Sequence, residues 1–183
     1  MTRKGMNRRQ FLQGSALATA AALGSGALAG AARALAAELE LSTLDPKTAA
    51  GLLVMTRRIY PHDTLADQYY GGVVEALDEA AKADPAVAAL LKDGVAGLDL
   101  PMEMAFLELS EGNQLKVLTG LAGTPFFQKV RGTAVVALYN NELVWRHFGY
   151  EGASFPYGGY LHRGFDDLAW LPQPPEDASP KAE

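Results

Sequence analysis

The chain has 183 residues, long enough for one domain with a full core, and carries 16 Lys and Arg against 21 Asp and Glu, a formal net charge of −5. It has no cysteine, which excludes disulfides, thiolate zinc sites, iron–sulfur clusters and covalent haem attachment through a Cys-x-x-Cys-His run.

The first 36 residues stand apart from the rest. They are rich in Ala, Gly and Leu and hold five basic side chains, Arg3, Lys4, Arg8, Arg9 and Arg33, with no acid. The remaining chain therefore has 11 basic against 21 acidic residues, a net charge of −10. A domain of that charge repels phosphate backbones and anionic headgroups, so nucleic acid is not an expected partner. Asn7-Arg8-Arg9-Gln10-Phe11-Leu12 resembles the twin-arginine export motif: two adjacent arginines, a polar residue, then Phe-Leu. An uncharged, mildly apolar run follows over residues 10–32, and Arg33 then precedes Ala34-Leu35-Ala36, a small-x-small cleavage pattern. The run is long enough for an uncleaved membrane anchor, but Gly14, Gly24, Gly26 and Gly30 weaken that reading. Residues 1–36 thus read as a twin-arginine signal peptide. Arg8, Arg9, Phe11 and Leu12 are its export signal, Ala34 and Ala36 are its cleavage residues with the cut near Ala36, the translocase is a partner, and the periplasm is the destination. This route carries folded proteins, and chains use it when a cofactor or partner must be loaded in the cytoplasm first.

Residues 37–139 read as a helical domain. Asp45-Pro46 is an N-cap followed by Pro at the first helical position, and Ala49, Leu52, Leu53 and Ile59 follow at helical spacing until Pro61 ends the helix. Tyr70, Val73, Val74, Leu77, Ala80 and Ala81 mark a second helix, its start weakened by Gly71 and Gly72. Asp84-Pro85 repeats the cap-plus-Pro start, with Val87, Leu90 and Leu91 as a short apolar face and Gly94 as a stop. Ser110 is placed to cap a helix bearing Leu115, Leu118 and Leu121. Thr124-Pro125 opens a further helix with Phe127, Val130, Ala134, Ala137 and Leu138 on one face. No alternating strand pattern and no repeat is present, so the domain is expected to be all-α, with about five helices.

The chain then changes character. Residues 140–171 hold eight of the sixteen aromatics (Trp145, Phe148, Tyr150, Phe155, Tyr157, Tyr160, Phe165 and Trp170), interleaved with Gly149, Gly152, Gly158, Gly159 and Gly164. Glycine at this density breaks helices, and aromatics at this density do not suit a solvated loop. The segment reads as ordered but irregular and packed on something. Residues 172–183 have four prolines and no large apolar residue and read as a disordered tail.

Catalytic signals are weak. The three histidines, His62, His147 and His162, lack metal-site spacing. Asp63 next to His62 could orient it as a general base, but a turn in which Asp63 or Thr64 caps the next helix is the favoured reading. Asp166-Asp167 implies no acid pair, and no dinucleotide fingerprint, nucleophile elbow or Walker loop is present.

Tyr139-Asn140-Asn141-Glu142-Leu143-Val144-Trp145, Phe148-Gly149-Tyr150-Glu151-Gly152, Gly158-Gly159-Tyr160 and Arg163-Gly164-Phe165-Asp166-Asp167-Leu168-Ala169-Trp170-Leu171 together resemble the gluconate 2-dehydrogenase subunit 3 family. Members are small subunits of flavin-dependent membrane or periplasmic dehydrogenases. Tyr60-Pro61-His62-Asp63 is also similar to that family's turn after its first helix. The resemblance implies a non-catalytic subunit that binds no cofactor itself. Its partner would be a large FAD-dependent dehydrogenase subunit of the glucose-methanol-choline type, often with a cytochrome c subunit as electron acceptor. The large subunit can lack its own signal and leave the cell bound to the small one. On this reading residues 140–171 are a docking segment, with Trp145, Tyr150, Tyr157, Tyr160, Arg163 and Trp170 as partner-binding anchors, and the complex can also associate with the membrane. Two other classes stay open: a free-standing periplasmic enzyme using His62 and Asp63, and a small-ligand binder whose aromatics line a pocket.

Overall fold

The computed structural model describes residues 25–161. It contains seven α-helices: α1 (Ser25–Glu38), α2 (Pro46–Ile59), α3 (Asp67–Ala83), α4 (Pro85–Leu98), α5 (Glu111–Leu121), α6 (Pro125–Tyr139) and α7 (Glu142–Phe148). Two short 3-10 turns, Phe106–Glu108 and Phe155–Tyr157, complete it, and there is no strand among the described residues. The domain is all-α. The two helices beyond the expected five are α1 and α7.

The three cap-plus-Pro signatures all start helices. The Asp45 carboxylate accepts from the Lys47 and Thr48 amides at 3.0 Å and from the Thr48 hydroxyl at 2.7 Å. Asp84 accepts from the Ala86 amide at 2.8 Å, and the Thr124 hydroxyl from the Phe127 amide at 3.2 Å. Each cap is worth about 1 kcal/mol. Neither Asp63 nor Thr64 caps α3; its N-cap is Ala66, without a side-chain bond. Ser110 is the N-cap of α5, but by its backbone alone.

α2 is the central helix. Every residue from Thr48 to Thr56 is buried, because α1, α3, α4, α5 and α6 all pack against it. The α6 core face is Phe126, Val130, Ala134 and Leu138, a four-residue repeat that puts Phe126 inside and leaves Phe127 half-buried. Gly94 does not stop α4, which runs on to Leu98. A Cβ at Gly94 would lie 2.1–2.6 Å from the Phe126 ring, so this glycine lets α4 approach α6.

α1 also crosses the boundary expected at residue 37. α1 runs through residues 25–38 and places Ala29, Ala32 and Ala36 in the core. Their small side chains let α1 lie close on α2, a contact that composition alone does not reveal. The segment after α1 is fixed by the buried Asp78 of α3. Its carboxylate accepts from the Ser42, Thr43 and Leu44 amides and the Ser42 hydroxyl, all at 2.8–2.9 Å. Burial raises the Asp78 pKa, but these bonds together outweigh it and hold the carboxyl below its ordinary value.

Candidate docking surface

Because α6 buries positions 126, 130, 134 and 138, its residues Val135, Val136 and Tyr139 face outward. Asn141 then caps α7, its side chain accepting from the Leu143 amide at 3.0 Å. Glu142 in the first turn and Arg146 and His147 in the last complement the helix dipole. Gly149 closes α7 in the left-handed conformation at φ 75°, and the Tyr150 amide donates to the Trp145 carbonyl at 2.8 Å. This stretch was expected to be irregular; its cap, charges and closing glycine make it a helix instead, so the helical domain extends past residue 139.

α7 buries Val144 completely and leaves Leu143 and Phe148 exposed. Trp145 folds back: its indole N–H donates to the Tyr139 carbonyl. Its ring meets Tyr150 edge-on at 5.4 Å and lies 3.4 Å from where a Cβ on Gly152 would sit. Trp145 therefore braces this segment from within more than it offers a free face, and Tyr150 is half tied to it.

Beyond Gly152 the side chains turn outward. Phe155, Tyr157 and Tyr160 are 90%, 69% and 67% exposed, and Leu161 is exposed beside them. Gly158 and Gly159 adopt φ of 89° and 81° in succession, a turn open to few other residues. Ten of the thirteen exposed large apolar or aromatic side chains among the described residues fall between 135 and 161, so apolar exposure is concentrated in one stretch of chain. Concentrated exposure of this kind makes the segment a candidate interaction surface.

The turn after α2 joins the same region. Tyr70 donates to the Tyr60 carbonyl at 2.6 Å and receives the His62 amide at 3.3 Å. The His62 ring shares a 2.6 Å hydrogen bond with the Tyr139 hydroxyl and packs on Phe148 at 4.9 Å. Thr64 and His147 share one of 2.9 Å. Burial, helped by the neighbouring Tyr60, raises the Tyr139 pKa above its ordinary value. Asp63 is exposed and makes no hydrogen bond to the His62 ring; the pair is not the oriented base that adjacency suggested. Two imidazoles, a phenol and a phenyl ring form a partly exposed platform beside α7.

Of the expected anchors, Trp145 and Tyr150 are brought together, Tyr157 and Tyr160 are exposed, and Arg163 and Trp170 lie outside the described residues. Phe148 and Phe155, inside the expected docking segment but not among its named anchors, are exposed as well, and so is Tyr139, which lies just outside that segment. The α6 repeat could have exposed Tyr139, since it lies one step off the buried stripe. A cleft of about 420 Å³ lies away from these aromatics, between α1, α2, α4 and the Phe106–Glu108 turn, and is lined by Arg33, Lys47, Gly51, Val95, Asp99 and Phe106 among others.

Residues 5–25 match the TAT (twin-arginine translocation) pathway signal sequence family. Arg8, Arg9, Phe11 and Leu12 lie inside the match and outside the described residues. The chain carries a twin-arginine signal and is exported across the membrane to the periplasm. No curated protein and no solved structure matches the chain. No helix among the described residues is long and apolar enough to cross a membrane.

Proposed function

We propose that this chain is the non-catalytic small subunit of a periplasmic FAD-dependent alcohol or sugar dehydrogenase. It escorts the large catalytic subunit through folded-protein export and stabilises it afterwards. The observation that carries the reading is the run of exposed aromatics from Tyr139 to Leu161 in an exported protein. Such a surface is costly to leave in water, and a partner's desolvated pocket is its natural counterpart. The twin-arginine route adds support, since it moves proteins already folded and assembled. The sequence resemblance to gluconate 2-dehydrogenase subunit 3 supplies the identity of the partner: a large flavoprotein of the glucose-methanol-choline type holding the FAD, with a cytochrome c subunit accepting electrons and linking the complex to the membrane. This chain holds no cofactor in that scheme.

The test is to purify the exported protein from the periplasm by a C-terminal tag and record its absorption spectrum. A co-purifying large subunit with a flavin spectrum and dehydrogenase activity is the expected result. A lone chain with its own turnover of an alcohol or sugar would overturn the proposal in favour of a free-standing enzyme.

A further inference from the structure

The small-x-small run Ala34-Leu35-Ala36 sits in the last turn of α1, where it forms part of the folded domain rather than a linker. Ala29, Ala32 and Ala36 are at most 2% exposed, and Leu28, Leu35 and Leu39 pack beside them on the core. The leucines close over Gly71 of α3, where a Cβ would stand 3.3 Å from Leu39 and 3.9 Å from Leu35. Arg33 reaches Glu108 in an ion pair, tying the helix to the Phe106–Glu108 turn. α2 is buried along its whole middle, and α1 forms one of its walls. A cut after Ala36 would remove that wall and uncover apolar surface on α2 and α3.

The same geometry makes Ala36 a poor cleavage site. Proteases take their substrates in extended form and cut at exposed, unpaired backbone; here the backbone is helical and Ala36 is buried. Alanine at these positions has a packing reason, since small residues let two helices approach closely. The pattern itself is unspecific in this composition, because Ala20-Ala21-Ala22 upstream supplies it equally. The stretch that matches the export-signal family, residues 5–25, overlaps α1 only at Ser25.

We propose that α1 is a permanent core helix of the exported protein, and that any removal of the export signal stops on the N-terminal side of Ser25 instead of at Ala36. The domain that works in the periplasm then begins at about residue 25, Arg33 is a structural ion-pair residue, and the cleft of about 420 Å³ keeps its α1 wall. This inference does not depend on the identity of the partner.

The experiment is an intact-mass measurement under denaturing conditions, with N-terminal sequencing, on the wild-type protein recovered from the periplasm. A first residue at or before Ser25 is expected; a first residue at Ala37 overturns the proposal. The thermal midpoint of exported Ala32→Glu gives a second reading. Burying a carboxylate at a fully enclosed position should lower the midpoint by about 5 °C or more, while Ala34→Glu, on the exposed side of the same turn, should leave it unchanged. Equal midpoints for wild type and Ala32→Glu would mean that α1 is gone from the mature protein. Should Ala32→Glu fail to reach the periplasm, the wild-type mass decides alone.

Discussion

Phe155 is the sharpest probe of the proposed docking surface. With 90% of its surface accessible, it contributes almost nothing to this domain's own core, so Phe155→Ala should move the thermal midpoint by less than about 2 °C. In a partner's pocket its burial would be worth about 1.5–3 kcal/mol, which is about a 10- to 100-fold loss of affinity when it is truncated. Tyr157 and Tyr160, 69% and 67% exposed, extend the same reasoning, and the triple alanine variant should lose the large subunit altogether on a column. The assay pairs a binding titration with a thermal melt of the isolated chain. Affinity within about threefold of wild type for the triple variant would refute the reasoning. A large fall in the melt would refute it differently, by showing these rings to be core.

Asp78→Asn removes a carboxylate that accepts four hydrogen bonds around Ser42–Leu44 and should cost about 2–4 kcal/mol, lowering the thermal midpoint by about 5–10 °C at neutral pH. The folded-state pKa of Asp78 is depressed, so its contribution is full above the unfolded value of about 4 and is lost as pH falls through the lower folded value. The gap between wild type and variant should therefore be constant above about pH 5 and narrow in stronger acid; a gap that widens there would contradict the assignment. His62→Ala loses the bond to Tyr139 and the contact with Phe148, worth about 1 kcal/mol of stability. It should leave turnover of the complex within about threefold, whereas a hundredfold loss with the complex intact would make His62 a chemical residue.

Much of the fold was legible where the signal was local. Asp45-Pro46, Asp84-Pro85 and Thr124-Pro125 each contain both the cap and the fixed φ that a helix start needs, and all three start helices. Gly94 misled because its reason is remote: it makes room for Phe126, thirty-two positions away. α1 was hidden for a related reason. Ala- and Gly-rich sequence has the composition of an export signal, and only its contact with α2 and α3 shows that part of it is core. α7 was legible in principle, with Asn141 as cap, Arg146 and His147 in the last turn and Gly149 as the stop, but the aromatic density drew the reading toward irregular structure. In the surface segment, Tyr157 and Tyr160 could be anticipated from type and spacing. The pairing of His62 with Tyr139 could not, because it spans 77 positions.

If this chain carries its partner into the periplasm as proposed, replacing Arg8 and Arg9 with Lys should hold both back. Both arginines lie in the matched export signal, and Lys keeps the charge while removing the pair that this route requires. The quantity to measure is the large flavoprotein subunit in the periplasmic fraction, by flavin content and immunoblot, in wild-type and Arg8→Lys/Arg9→Lys cells. Both chains should be stranded together in the cytoplasm, still associated. A large subunit that reaches the periplasm at its normal level while this chain stays behind would contradict the proposal.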